Sequence, residues 1–412
     1  MRFLLLVSAM LIPPAALATT AILVVKPDGT GDYPTIQAAI DNAAGGDVIE
    51  LPDGNRDLSF QGKSITIRSQ SGYPETCIID CQASASDCHR GFIFQCQEGP
   101  DSSLEDLTIV NGYMEDDYPA WDGCGGAVLM LDSTSPLMDN VIIRDCTAMS
   151  GGEIFLFNAS PRLSGCSFLK NSVWYGVGGG INCTLSDPTI EDCLFSGNSA
   201  HQGGGGMSCN GGFPTFTRCW FTENSSHSYS NALDMWGSSG HADVINCTFC
   251  ANPFAGLMCV SGGSATLNGC TFVGNGRGIR IEDGSVLLHN TIIAFSTSAE
   301  AIEFWGAGGD ALLARCDLYG NAGGDWTDRI ADQLGLNGNI QLDHRFCLMT
   351  DEDFTLYASS PCAPFTPPNP YCDRIGAWPV ECDEAAVSEN LPGAPPAGTP
   401  CTWSGIKRRF DR

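Results

Sequence analysis

Residues 125–130 read GGAVLM, and close copies follow as GGEIFL at 151–156, GGGINC at 178–183 and GGGMSC at 204–209. Looser copies occupy 231–236, 255–260, 277–282 and 300–305. The apolar residues that mark the copies are spaced 26, 27, 26, 26, 24, 22 and 23 residues apart, at Val128, Ile154, Ile181, Met207, Leu233, Leu257, Ile279 and Ile302. A repeat of about 20 to 30 residues is typical of a solenoid. Apolar and polar residues alternate in several copies, as in Ile181-Asn182-Cys183, which predicts a strand with one buried face.

A second motif follows each copy, for example SPRLSGCSF at 160–168 and DPTIEDCLF at 187–195. If each repeat forms one coil, equivalent residues stack about 4.8 Å apart in columns along the axis. One column holds cysteines, at Cys166, Cys193, Cys219, Cys247 and Cys270. The next holds phenylalanines, at Phe168, Phe195, Phe221, Phe249 and Phe272. A third holds asparagines, at Asn171, Asn198, Asn224, Asn252 and Asn275. We expect the asparagines at a bend, where an amide bonds the turn backbone and tolerates a left-handed conformation.

These repeats also carry a resemblance to known families. The segments GGAV, GGEI and GGGI, with FLKN, FSGN and FTEN, resemble repeats of the polymorphic outer-membrane proteins, whose passenger is a right-handed parallel β-helix. More broadly, residues 22–345 resemble the pectate-lyase-like superfamily, although the catalytic motifs of pectinesterases and polygalacturonases have no counterpart. We therefore predict an all-β, single-stranded right-handed parallel β-helix of about ten or eleven coils with an N-terminal capping helix.

The remaining segments predict an exported protein. Residues 1–18 have a basic start, an apolar run and Ala16-Leu17-Ala18, which predicts a signal peptide cleaved near Ala18; a membrane anchor is the alternative, but the run is short and ends at Pro13. Residues 19–52 predict an N-terminal cap, 53–345 the β-helix and 346–382 a Cys- and Pro-rich cap over the last coil. Residues 383–412 predict a linker and a basic tail, which is either disordered or a sorting signal. We expect a secreted or cell-surface location and no transmembrane segment in the mature chain.

The chain holds 47 acidic and 20 basic residues, which argues against nucleic acid as a partner. Such acidity suits a solvated surface, high salt or bound divalent cations, so Ca²⁺ is a possible cofactor and no other is expected. We expect a monomer.

The 21 cysteines allow more than one interpretation. The column cysteines are one rung apart, yet parallel Cβ vectors would hold the sulfurs too far apart to bond, so reduced thiols are expected there. Metal binding is a third interpretation, but no CxxC pair lies near a histidine, so no metal site is predicted. The disulfide candidates lie in loop-rich segments, at Cys77, Cys81, Cys88, Cys96, Cys347, Cys362, Cys372 and Cys382.

The loops that follow the asparagine column predict a binding edge. They carry aromatic, imidazole and carboxylate side chains, at Tyr113, Asp116, Asp117, Tyr118, Trp121, Asp122, Trp174, Tyr175, His201, His227 and Tyr229. Rings stack on sugar faces and acids bond hydroxyl groups, so this edge suits a polysaccharide or a cell-surface glycan. The alternative is that the rings only cover the loop bases.

Catalytic residues are not identified by the sequence. Lyases on this fold need an arginine or lysine base beside Ca²⁺-binding acids, and Arg280 with Glu303 on the next rung is the nearest match, although an exposed cross-strand ion pair is the commoner meaning of such residues. An inverting glycosidase needs two carboxylates, for which Asp116, Asp117 and Asp122 are the candidates. The leading hypothesis is a non-catalytic protein that binds glycans or surfaces, with a polysaccharide lyase or glycoside hydrolase as the alternative and a structural surface protein as a third.

Overall fold

The computed structural model describes residues 20–51, 57–115, 123–149, 151–227, 231–349, 352–369 and 373–382. The predicted all-β parallel β-helix is confirmed, because successive coils pair in parallel and in register, as in Phe168 opposite Phe195. The predicted number of about ten or eleven coils was too low, since the solenoid has about 13 turns. Strands Ile22–Val24 and Val48–Leu51 pair in parallel with the following coil, so the segment assigned to the N-terminal cap supplies rungs as well.

Four faces are built in the same order in each central coil. Sheet 1 holds the first motif, in Leu58–Ser59, Phe92–Phe94, Val128–Leu131, Ile154–Phe157, Ile181–Thr184, Met207–Gly212, Asn231–Ile245, Ala255–Val260, Arg277–Glu282 and Ile302–Phe304. Sheet 2 holds Ile22–Val24, Val48–Leu51, Thr66–Ser69, Ser103–Glu105, Leu137–Asp139, Arg162–Ser164, Thr189–Glu191, Thr215–Thr217, Ser264–Asn268, Ser285–His289 and Asp310–Ala314, together with the end of Asn231–Ile245. Sheet 3 holds Ile78–Asp80, Thr108–Val110, Ile142–Arg144, Ser167–Leu169, Leu194–Ser196, Trp220–Thr222, Thr248–Cys250, Thr271–Val273, Ile292–Ala294 and Asp317–Tyr319. Sheet 4 holds Tyr113–Met114, Thr147–Ala148, Ser172–Val173, Ser199–Ala200 and Ser225–Ser226.

The corners between faces use backbone conformations that glycine allows. Sheets 1 and 2 are continuous through Asn231–Ile245, which stays extended around the corner in one coil. Where sheet 4 returns to sheet 1, Gly204 has φ +58°, and a Cβ there would lie 2.5 Å from the Met207 carbonyl oxygen. The glycine pairs that begin the first motif are therefore required by this bend.

The core consists of stacked columns along the axis. The phenylalanine rings of sheet 3 stack face to face, with centroids 4.7 Å apart for Phe168–Phe195 and 4.5 Å for Phe195–Phe221. Phe249 and Phe272 continue the stack at 4.9 and 4.5 Å. The column cysteines are buried and unbridged, and their thiols lie at the corner before sheet 3. Sheet 2 adds a buried column that the sequence analysis did not single out, at Met138, Leu163, Ile190, Phe216, Val244, Leu267, Leu288 and Leu313.

The asparagines form a buried amide ladder at the corner between sheets 3 and 4. Asn171 Nδ2 donates to Asn198 Oδ1 at 3.0 Å, and Asn198 Nδ2 donates to Asn224 Oδ1 at 3.0 Å. Contrary to the sequence argument, the left-handed conformation falls on the residue before the asparagine, with φ +55° at Lys170 and at Glu223. The asparagine itself turns inward because its amide must satisfy buried backbone groups, such as the Phe168 carbonyl that accepts from Asn198.

Both ends of the core are covered. Helix Ile36–Asn42 begins at Thr35, whose hydroxyl accepts from the Ala38 amide at 3.2 Å, and it lies against Val48–Leu51 and Leu58–Ser59. The helix buries Ile36, Ala39 and Ile40, and the residue that follows its end, Ala43, is buried as well. At the other end, the short 3₁₀ helix Asp328–Gln333 inserts Ile330 into the core. A second 3₁₀ turn lies at Pro74–Thr76.

The C-terminal segment lies along the outer face of sheet 3. Its strands Phe346–Leu348, Asp353–Tyr357 and Val380–Cys382 form a small sheet whose apolar side chains cover Leu194, Trp220 and Val273. The sequence placed this segment over the last coil; the structure places it here because sheet 3 also carries apolar residues outward. No helix among the described residues is long and apolar enough to span a bilayer.

Of the disulfide candidates, Cys347 and Cys382 are bridged. Cys88, Cys96 and Cys362 are thiols, and Cys362 Sγ donates instead to Asp317 Oδ2 at 3.3 Å. Cys77 and Cys81 are buried between the first coils, and Cys372 lies outside the described residues.

Candidate functional site

Sheet 4 brings the predicted loops together on one edge of the solenoid. Its strands are short and in register, and alternate residues point outward. The outward residues of the strands form a hydroxyl column, at Tyr113, Thr147, Ser172, Ser199 and Ser225. Two neighbouring hydroxyl groups of the column lie within hydrogen-bond distance, with Thr147 Oγ1 3.1 Å from Ser172 Oγ.

Two positions further along the chain, a second column carries rings. Trp174, His201 and His227 continue the register of sheet 4, since Trp174 donates its amide to Ala148 and His227 to Ala200. The imidazoles of His201 and His227 are parallel, with centroids 5.9 Å apart. The ring centroids of Tyr175 and His201 are 6.1 Å apart.

Two of these aromatic side chains are largely exposed to solvent. Trp174 is 55% exposed and Tyr175 is 60% exposed. More than half of the surface of each of these two residues is therefore accessible from solvent.

Two adjacent clefts lie along these columns, and together they are here called the edge groove. Its aromatic half is an open cleft of about 490 Å³ along Trp174, His201 and His227. Its polar half is an open cleft of about 360 Å³, lined by Asp80, Gln82, Asn111, Tyr113, Asp145 and Thr147. The halves meet where the Tyr113 ring contacts Trp174 edge to face, with centroids 6.4 Å apart.

Hydrogen bonds fix the polar half. Asn111 Nδ2 donates to Asp80 Oδ1 at 3.0 Å, and Arg144 Nη1 pairs with Asp145 Oδ2 at 2.6 Å. The Tyr113 hydroxyl donates to Glu115 Oε2 at 3.0 Å. Partial burial raises the pKa of Tyr113, and the hydrogen bond to Glu115 raises it further, so this phenol remains a donor.

A buried carboxyl group lies behind sheet 4. Glu153 occupies a position that Ala127, Gly180 and Gly206 fill in neighbouring coils, and it is fully buried. Among the described residues, no donor forms a hydrogen bond of good geometry with its two carboxyl oxygens, although the backbone amides of Ser172 and Ala148 lie nearby. Burial raises the pKa of Glu153 well above its ordinary value. Gly126 provides the space, since a Cβ there would lie 2.1 Å from Glu153 Oε2.

The structure thus brings Tyr113, Trp174, Tyr175, His201 and His227 together. The other predicted binding residues lie outside the described residues, namely Asp116, Asp117, Tyr118, Trp121, Asp122 and Tyr229. Sequence reasoning missed the hydroxyl column and the lining residues Asp80, Asn111 and Asp145. The recurring pairs Asn171-Ser172, Asn198-Ser199 and Asn224-Ser225 were a usable signal for the hydroxyl column.

Arg280 and Glu303 lie on the outer face of sheet 1, on adjacent rungs as predicted. Glu303 Oε2 is 2.9 Å from Arg277 Nε and 3.8 Å from Arg280 Nε, while the Arg280 guanidinium lies 4.5 Å from the Trp305 ring centre. These contacts fit an ion pair in which Arg277 and Arg280 share Glu303, but not the exposed pair that was predicted, because the three side chains are only 13–21% exposed. Within the described part of the chain, no three His, Cys, Asp or Glu side chains are placed to hold a metal ion.

Comparison with known proteins adds the family. Residues 64–249 and 231–343 match the family described as the right-handed β-helix region. Among solved structures, the chain is similar to the crystal structure of the pectate lyase Pel9A, with a TM-score of 0.57 and 11% identity over 89% of this chain and 98% of that chain. An identity this low supports a shared fold alone. No curated protein sequence matches the chain.

Proposed function

Because the chain belongs to the right-handed β-helix family, we propose that it is an exported, non-catalytic protein that binds glycans along the edge groove. One observation carries the proposal: exposed rings lie in register beside a hydroxyl column on a rigid sheet. Sugar rings present apolar faces and hydroxyl groups together, and this surface presents the complementary pair of features.

Rigidity supports binding at this edge. The strands of sheet 4 rest on the buried asparagine ladder, where Asn198 and Asn224 bond both backbone and each other. A preformed surface loses little conformational entropy when a ligand binds. The rings therefore need not be ordered by the glycan.

Export and a surface location are further parts of the proposal. The signal-like sequence of residues 1–18 supports export. The GG and FxxN repeats, which resemble those of polymorphic outer-membrane proteins, support display at a cell surface. The buried column of thiols is compatible with export, because these cysteines are shielded from solvent and unbridged in the structure.

The proposal is tested by measuring retention on an array of polysaccharides for the wild type, Trp174→Ala and Phe213→Ala. Phe213 is 63% exposed on a different corner and is the matched control. Loss of one stacked ring should weaken binding roughly two- to tenfold, from about 0.5–1.5 kcal/mol per aromatic contact. Equal binding by Trp174→Ala and wild type would remove the edge groove from the proposal, and retention of no glycan would favour a purely structural protein.

A polysaccharide lyase is the second candidate, and the fold shared with pectate lyase Pel9A favours it. When the protein is incubated with uronate and neutral polysaccharides plus Ca²⁺, we expect neither unsaturated product nor new reducing ends to be released from them. Release that is lost in Arg280→Ala would replace the binding proposal with a lyase. A glycoside hydrolase would release reducing ends without unsaturated product.

A further inference from the structure

We infer that the glycan bound in the edge groove is a linear, uncharged polysaccharide that lies parallel to the solenoid axis. This inference rests on the proposed function and adds the ligand's shape, direction and charge. Three features carry it: the repetition of the two columns, the chemistry of their side chains and the charges that line the groove.

The repetition sets the direction. The hydroxyl and ring columns each supply one side chain per rung, and rungs are about 4.8 Å apart along the axis. Trp174, His201 and His227 follow each other in that direction. A ligand that contacts more than one ring must itself extend along the axis, and a linear polymer of similar units fits such a row.

The hydroxyl column sets the kind of polymer. Ser172, Ser199 and Ser225 offer a donor and acceptors on successive rungs. Sugar hydroxyl groups can both donate to and accept from such a row. A hydrocarbon chain would leave these groups without partners, which costs free energy when they are buried.

The charges that line the groove disfavour acidic chains. Asp80 lines the polar half and Glu115 lies beside Tyr113, whereas the charge of Asp145 is balanced by Arg144. Neither cleft has a lysine or arginine among its described lining residues, and the adjacent Arg144 is already paired with Asp145. The chain carries a formal net charge of −27. A polyuronate would therefore meet like charge, whereas an uncharged chain would not.

The test compares affinities of the full-length protein for a soluble β-glucan, a glucomannan and polygalacturonate at low ionic strength, where charge effects are largest. Wild type should bind at least one neutral polymer at least about tenfold more tightly than polygalacturonate. Ser199→Lys should gain polygalacturonate binding, because it places a cation in the hydroxyl column. Thr189→Lys adds the same charge in the same coil but on sheet 2, and should change nothing.

A series of neutral oligosaccharides tests the direction. Affinity should rise with each added sugar up to about four or five units, the span of the five strands of sheet 4. A plateau at the disaccharide would overturn the axial arrangement. Wild-type binding of polygalacturonate as tight as that of the neutral polymers would overturn the charge inference and leave glycan binding intact. Failure to bind any polymer would instead overturn the proposed function.

Discussion

At the scale of the residue, Glu153 differs from the residues at the equivalent position in the neighbouring coils. The equivalent residues are small, yet this carboxyl group is enclosed behind the strands that carry Ser172 and Ala148. A buried carboxyl group strongly favours its neutral form, because desolvation penalises the charge. The stability of the wall behind the edge groove is therefore linked to pH through one proton.

Replacement of Glu153 by glutamine should remove this pH dependence. The folded-state pKa is raised above the ordinary 4.5, so the stability from the bound proton is complete below pH 4.5 and is lost as pH rises towards the folded-state pKa. The loss amounts to about 1.4 kcal/mol per pH unit over that range. Melting temperatures of wild type and Glu153→Gln at pH 4.5, 6 and 7.5 should diverge in favour of the variant as pH rises.

The control for this experiment is Glu223→Gln, which changes an exposed carboxyl group. Its melting temperature should follow that of the wild type at each pH. A difference between Glu153→Gln and wild type that stays constant with pH would show that Glu153 is ionised in the folded protein.

At the scale of the element, the ladders were predictable and their details were not. The repeat of 22 to 27 residues places Phe on Phe and Asn on Asn, so the sequence sufficed to identify the columns. It could not assign the left-handed residue correctly, because local preference points to asparagine. In the structure, Asn198 is drawn inward by buried carbonyl groups, and Lys170 and Glu223 adopt the strained conformation in their own coils.

The centre of the phenylalanine column is the position most sensitive to truncation. Phe221 stacks on Phe195 at 4.5 Å and on Phe249 at 4.9 Å. Phe221→Ala should lower the free energy of unfolding by about 3–5 kcal/mol, since it leaves a cavity that the adjacent rungs cannot close. Denaturant unfolding measures the loss, and the exposed Phe213→Ala should change it by less than about 0.5 kcal/mol. Similar losses for both variants would contradict a tightly stacked column.

At the scale of the whole molecule, the segments without the repeated motifs were the hardest to predict. The convergence of Trp174, His201 and His227 followed from their common offset of three residues after the asparagine column. The number of coils did not, because the first strands do not carry the repeated motifs. The position of residues 346–382 depends on contacts such as Trp378 with Trp220, which no periodic pattern announces.

Buried thiols along the whole axis provide a global measure of packing. Burial raises the pKa of Cys270 and of Cys316 to about 12, so each holds its proton at pH 8. Alkylation of the native protein at pH 8 should modify the exposed Cys96 and spare Cys270 and Cys316, because the thiolate is the reactive form. Peptide mass spectrometry identifies the modified sites, and denaturant should make all three react. Rapid native modification of Cys270 would indicate coils that separate readily.

The cover over sheet 3 also orders events during synthesis. The indole nitrogen of Trp378 donates to Thr248, 130 residues earlier in the chain. A ribosome or an export channel delivers the amino-terminal coils first, and those coils can stack as they emerge. The apolar outer face of sheet 3, which includes Trp220, stays exposed until the C-terminal strands have been synthesised. A chaperone that binds this apolar face on nascent chains should therefore dissociate only after the carboxyl-terminal strands have been synthesised.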